Sequence, residues 1–307
     1  MSRENLEALR TNISRRKLFD GIFAIIGLVT ISVAIIILLS LILQMVIEGV
    51  PRLTPQFFFS FPSSDSEQAG ILSAWVGTGL IMFITALAAV PLGVASGIYL
   101  EEYAGKNWLS DLIEINVTNL AGVPSIVYGL LALGLFVYQF NLGRSVVSAG
   151  LTLALLILPI VIVTTREALR AIPLSIREAA YAVGASKWQM VWDHILPYSF
   201  GSILTGVIIG LSRAIGETAP LITIGALSFI AFLPPAPVQA TPPYISFEWL
   251  QTPFTVMPIQ MFNWVSRPEP GFQFNAAAAG TVLIMMTLAM NGIAVYLRYR
   301  FRKGIKW

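Results

Sequence analysis

Long apolar runs separated by short polar stretches dominate this sequence. A membrane-spanning helix needs about 20 apolar residues. Six runs reach that length: Phe19 to Ile47, Ile71 to Leu100, Ile115 to Phe140, Val146 to Thr165, Tyr198 to Leu233 and Ala276 to Leu297. The pattern predicts an all-α, polytopic membrane protein with six transmembrane helices. The first run is too long for the apolar region of a cleavable signal peptide, about 7–15 residues. The third run is interrupted by Ala121-Gly122-Val123-Pro124-Ser125. Proline removes a backbone donor, so either a kink or a broken span is expected there, with Ser125 able to face a cavity. The fifth run is long enough to contain a break.

One polar stretch, Arg166 to Pro197, looks foldable in its own right. Apolar residues recur in it at helical spacing: Ile172, Ile176, Ala179, Ala180 and Val183, then Trp188, Val191 and Ile195. This predicts a pair of short amphipathic helices hinged near Gly184 and held at a membrane surface, where a partner can dock. The reading without a partner is an amphipathic loop lying on the bilayer.

Basic residues orient the chain. Arg3, Arg10, Arg15, Arg16 and Lys17 precede the first span, and Arg298, Arg300, Arg302, Lys303 and Lys306 follow the last. Lys106 lies in the 101–114 loop, and Arg166, Arg170, Arg177 and Lys187 lie in the 166–197 loop. The alternate loops carry only Arg52, Arg144 and Arg267. Both termini and these two loops are therefore expected in the cytoplasm. The outer stretches 48–70 and 234–274 are rich in proline, including Pro242 and Pro243, and cannot be simple helices. Trp249, Phe254, Phe262 and Trp264 would suit the headgroup belt; a docking face for an external partner is the alternative.

Composition agrees with this class. The chain of 307 residues is 56% hydrophobic and 11% charged, with mean hydropathy +0.77, where soluble domains carry about 25% charged residues. With no cysteine there is no disulfide, thiolate metal site or cysteine nucleophile. A single histidine, His194, excludes a multi-histidine metal site and, beside Ile195-Leu196-Pro197, reads as structural rather than as a proton relay. There is no phosphate-binding loop of the G-x-x-x-x-G-K-[ST] type. No enzymatic chemistry, cofactor or metal is expected on this chain.

The fifth run holds Arg213 and Glu217, four residues apart, beside Gly206-x-x-x-Gly210. On one helix these share a face, and small residues let another helix approach. A charge at membrane depth must face a partner or a wet cavity. Two readings stay open: an ion pair that pins helices together, or a polar station on a solute path, with Arg213 offering permanently charged donors to an oxyanion. Pro220 should kink or break the helix beyond.

Four stretches carry a resemblance: IYLEEYA (98–104), NLAGVPSIVYGL (119–130), REAAYAVGASKW (177–188) and RAIGETAPL (213–221). Glu178, Ala179, Ala180, Gly184, Leu196 and Pro197 match the coupling-loop pattern E-A-A-x-x-x-G-x₉-I-x-L-P of ABC importer permeases; His194 stands where that pattern has Ile, which leaves the packing of the second short helix in question. The chain, over about residues 70–300, resembles the A-type (PstA) permeases of phosphate importers. The resemblance implies a type I ABC importer (MetI-like) fold in a bacterial inner membrane. It divides the chain into a cytoplasmic tail (1–18), a first helix and outer loop (19–70), a transmembrane domain (71–297, with coupling loop 166–197 and outer loop 234–274) and a basic tail (298–307). It further implies inorganic phosphate as the transported substrate, a PstC-like partner permease, a PstB-like ATPase pair that holds ATP and Mg, and a PstS-like binding protein. Arg213, Glu217 and Ser125 would line the path. The alternatives are a PstC-like subunit, a permease for another oxyanion, a secondary transporter, and a membrane sensor that moves nothing.

Overall fold

The computed structural model describes residues 3–105, 107–239 and 244–302. Lys106, Pro242, Pro243, Lys303 and Lys306 lie outside these, as do the side chains of residues 1–15, 18, 301 and 302. The described residues are helical almost throughout. α1 (Arg3–Gly49) crosses first, followed by the short α2 (Pro55–Phe59) and by α3 (Leu72–Ile98), which ends in a π turn, Tyr99–Tyr103. Next come α4 (Trp108–Leu120), α5 (Ser125–Ala132, continued as a π turn to Gln139) and α6 (Val146–Arg170). α7 (Leu174–Ala182) and α8 (Lys187–Gln189) form the polar loop, and α9 (Leu196–Ile215) re-enters the bundle. α10 (Ala219–Thr223), α11 (Met257–Val265) and α12 (Pro270–Arg302) complete the chain.

Among the described residues five helical stretches are long and apolar enough to span a membrane, and α4 with α5, bent by 107°, makes a sixth if the pair is taken as one span. The third span is thus broken rather than kinked. Pro124 is fixed at φ −56° and ψ 135°, which ends one helix and starts the next. Tyr128 Oη donates to the Leu120 carbonyl at 2.8 Å, satisfying an acceptor that the end of α4 would leave bare.

The fifth span also differs from its prediction. It begins earlier, because α8 runs through a π turn, Met190–Ile195, directly into α9, so that Lys187–Ile215 is one continuous rod. It stops earlier too, at Gly216, well before Leu233. Pro220 does not cause that break: it sits in the first turn of α10, where a missing N–H costs nothing.

α3, α6 and α9 pack side by side at the centre, with α12 against α9 and α1 against α12. The α3–α6 contact is close because Gly93 and Gly97 of α3 lie against Val161 and Thr165 of α6. Leu153, Ile157, Phe136 and Ile215 fill the central core. The apolar window of α1 is wholly exposed in this single chain.

Three of the four outer aromatic residues assigned to a headgroup belt are core residues instead. Trp264, Phe254 and Trp249 are buried, and Phe262 alone of the four stands exposed. The prolines fold the outer segment back over the bundle: the N–H of Met257 donates to Thr78 Oγ1 of α3 at 2.9 Å. Trp264 then packs with Phe57, Phe272 and Ile71 as a plug on the outer end. Arg52 clamps this region, donating from Nε to Asn275 Oδ1 of α12 at 2.7 Å and from Nη2 to the Ser66 carbonyl at 2.7 Å.

Candidate functional site

The 166–197 loop folds as two helices across a sharp reversal. Gly184 supplies the turn at φ +84°, a left-handed conformation that side chains oppose. Ser186 then caps α8, its side chain accepting from Gln189 N while Gln189 bonds back. Ala180 is buried against Leu169, Ile172, Met190, Val191 and Ile195 in a small core of its own. Ile195 is fully buried and His194 half-buried, so Ile195 fills the apolar place that the pattern assigns to the neighbouring position.

The outward face of this loop is apolar and unpartnered in the single chain. Val183 is 82% exposed, and Leu174, Tyr181, Trp188 and Trp192 are exposed with it. Val183 and Trp188 belong to the same apolar spacing as the buried Ile172, Ala180, Val191 and Ile195, yet both are exposed. The indoles of Trp188 and Trp192 stack with centroids 5.1 Å apart. Glu178, Ala179 and Gly184 are also exposed, whereas Leu196 is half-buried and Pro197 opens α9.

Sequence reasoning missed what holds the loop. Glu102, in the π turn that ends α3, accepts from Arg177 of α7 at 2.7 Å. Its neighbour Glu101 meets Arg170 at 2.8 Å and Arg166 at 3.5 Å. Arg166 and Arg170 also reach Glu114 of α4, at 2.7 and 3.4 Å. These arginines were counted only for orientation. The signal was available: a Glu-Glu pair closes one apolar run, and three arginines follow another, on the same expected side of the membrane.

At the other end of the rod, Arg213 and Glu217 do pair, Nε to Oε1, at 3.5 Å. They do not share a helix: Arg213 is in the last turn of α9 and Glu217 lies beyond its end at Gly216. The small residues face the bundle as expected. A Cβ on Gly206 would lie 2.0 Å from Thr164 Oγ1 and 2.4 Å from Thr164 Cβ. Arg213, seven residues after Gly206 on the same helix, leaves 39% of its side chain exposed in the single chain. Behind it a void of about 10 Å³, lined by Thr78, Leu153, Ala214 and Leu221 among others, is water-sized at most.

The two broken spans meet here. α10 packs on α5, where Gly129 lies under Pro220 and Thr223. Tyr128, the residue that bridges the α4–α5 break, directly precedes Gly129. Ser125, half-buried, starts α5 one turn before Tyr128. Among the described residues no group of three or more His, Asp or Glu gathers in metal-binding geometry.

The fold has known counterparts. The chain superimposes with TM-score 0.55 on a subunit of the MetNI methionine ABC transporter in an inward-facing conformation, covering 75% of this chain and 95% of that one at 15% identity. A bacterial ABC transporter involved in import of the acidic polysaccharide alginate aligns with TM-score 0.51, over 87% and 95% of the two chains, also at 15% identity. The class is therefore the type I ABC importer permease fold. The pattern of the family of binding-protein-dependent transport system inner membrane components matches residues 89–306, and this chain belongs to that family. Among its relatives, the probable ABC transporter permease protein YqgI of Bacillus subtilis is 30% identical over 92% of this chain and 94% of its own. The phosphate transport system permease protein PstA of Yersinia pestis is 29% identical over 97% and 96%.

Proposed function

We propose that this chain is the permease subunit of an ATP-driven importer of inorganic phosphate in a bacterial cytoplasmic membrane, with both termini and the 166–197 loop in the cytoplasm. The observation that carries the reading is the placement of Arg213. It is a permanently charged, partly exposed donor near two helix breaks, in a chain with several relatives over nearly its whole length that are named phosphate permeases. A solute passing Arg213 would travel along the face this chain offers to a second, PstC-like permease. A PstS-like protein would deliver phosphate from outside.

The work would come from two PstB-like ATPases, which hold ATP and Mg. Glu178, Ala179, Ala180, Gly184, Leu196 and Pro197 form the coupling element, and the exposed Leu174, Tyr181 and Val183 give it an apolar surface to seat in an ATPase. When the ATPases close, the loop moves with them. The rod from Lys187 to Ile215 carries that motion to Arg213, and the path changes sides. Arg213 offsets the anion's charge while Glu217 keeps the site from holding it too tightly, since conduction needs weak binding.

Reconstitution of the four-component complex in proteoliposomes tests the proposal. ATP-dependent phosphate uptake is expected from the wild type. Arg213→Ala should assemble fully and lose uptake by at least about tenfold, the size of a lost charge-assisted hydrogen bond. Assembly failure in that variant would assign Arg213 to a structural ion pair. Uptake of sulfate or molybdate in place of phosphate would assign another oxyanion.

A further inference from the structure

Six charged side chains gather where α3, α4 and α6 meet the coupling loop; Arg170 and Glu114 are 52% and 37% exposed, and the burial of the other four separates them from ordinary surface pairs. Side-chain exposure is 7% for Glu102, 15% for Arg177, 9% for Arg166 and 16% for Glu101. Exposed ion pairs contribute little, but a buried charge that loses its partner is costly.

Arg177 joins three elements. Its Nε and Nη2 both donate to Glu102 Oε1, at 3.2 and 2.7 Å. Its Nη1 donates to the Ile172 carbonyl at 2.8 Å, in the turn before α7. Its Nη2 also reaches the Leu169 carbonyl at 2.9 Å, in the last turn of α6, where carbonyls lack helical partners. The connections continue. Glu101 adjoins Glu102 and binds Arg170 through both oxygens, and Arg170 and Arg166 share Glu114 of α4. By contrast, the loop meets the α8–α9 rod through apolar contacts of Ala180 with Met190, Val191 and Ile195. Apolar contacts resist separation but are non-directional. Guanidinium–carboxylate pairs fix direction as well.

We propose that Glu102 and Arg177 are positioning residues that lock the coupling helix α7 to α3 and, through Glu101, Arg166, Arg170 and Glu114, to α4, so that these elements move as one body and deliver the motor's stroke to the broken third span. α4 leads straight into the break that Tyr128 bridges, and the next residue, Gly129, lies under Pro220 and Thr223 of α10, just past Arg213 in the chain. The loop thereby acts on the pathway from two sides: along the α9 rod, and through the charged latch to α4. This inference rests on the reading of the chain as an ATP-driven permease.

Charge exchange in the reconstituted complex tests it. Glu102→Arg and Arg177→Glu should each leave ATP hydrolysis running while phosphate moved per ATP falls roughly tenfold, within the usual span of coupling energies. The double exchange should recover part of that loss, since a carboxylate at position 177 restores the ion pair but cannot donate to the Ile172 and Leu169 carbonyls. A substrate-free readout uses the absence of native cysteine: spin labels at Asn116→Cys in α4 and Ser175→Cys in α7. Their separation should stay constant between nucleotide-free and nucleotide-bound wild type, and change with nucleotide in Glu102→Arg. A separation that changes in the wild type overturns the latch, as do normal stoichiometry in the single variants or a double exchange that recovers nothing. If the wild-type complex hydrolyses ATP but moves no phosphate, the substrate assignment fails while the label distances still judge the latch.

Discussion

Gly206 and Thr164 show how closely α9 and α6 depend on single atoms. Only hydrogen fits on the Gly206 Cα, because a methyl group would overlap both Oγ1 and Cβ of Thr164. Thr164 cannot rotate out of reach, since its Cβ is fixed by the backbone. Gly206→Ala should therefore separate the helices and cost about 1–3 kcal/mol, as overpacked cores do. Thr164→Gly in the same chain should restore much of it. Thermal midpoints of the purified complex, followed by fluorescence-detected chromatography, would show the loss and the rescue. The pairing of small residues at 206 and 210 was legible from spacing alone. That Glu217 lies off the helix of Arg213 was not, because α9 ends at Gly216 and local pattern does not locate that end. The Glu101–Arg170 and Glu102–Arg177 pairs were illegible for a different reason: their partners lie 69 and 75 positions apart, and only the packing of α3 on α6 joins them.

Among the elements, the reversal between α7 and α8 is the most exposed to backbone chemistry. Gly184 holds φ at +84°, and proline is confined near −65°. Gly184→Pro should misdirect α8, expose Met190 and Val191, and weaken ATPase binding by at least about tenfold, measured by titrating detergent-purified permease pair with ATPase. The helical pattern anticipated both short helices and the hinge. It did not anticipate that α8 would fuse with α9, because a π turn keeps the chain helical through His194 and Ile195 without leaving a signature in apolar spacing. Breaks were similarly half-visible. Pro124 marked the third span correctly but not its angle, and Pro220 drew attention a few residues past the point where α9 stops.

For the molecule as a whole, the six-span arrangement makes a topological prediction. The chain has no cysteine, so a single introduced thiol reports its side unambiguously. Ser64→Cys, exposed in the outer segment, should react with a membrane-impermeant maleimide on intact cells. Ser175→Cys, exposed in α7, should react only after permeabilisation. The reverse pattern would invert the molecule and remove the coupling loop from any cytoplasmic motor. The outer plug of Trp264, Phe57 and Phe272 and the cytoplasmic core around Ala180 are then two separately packed ends, joined by the α3–α6–α9 centre.

The unbroken run from Lys187 to Ile215 makes a lever arm. At about 1.5 Å per residue, Arg213 sits on the order of 40 Å from the Lys187 end. A tilt of roughly 10° pivoting at that lower end would sweep the guanidinium through about 7 Å, more than the width of a small oxyanion. The gearing is steep: a modest displacement at the cytosolic fulcrum is magnified at the charged tip, and the stiffness of one continuous helix sets how faithfully.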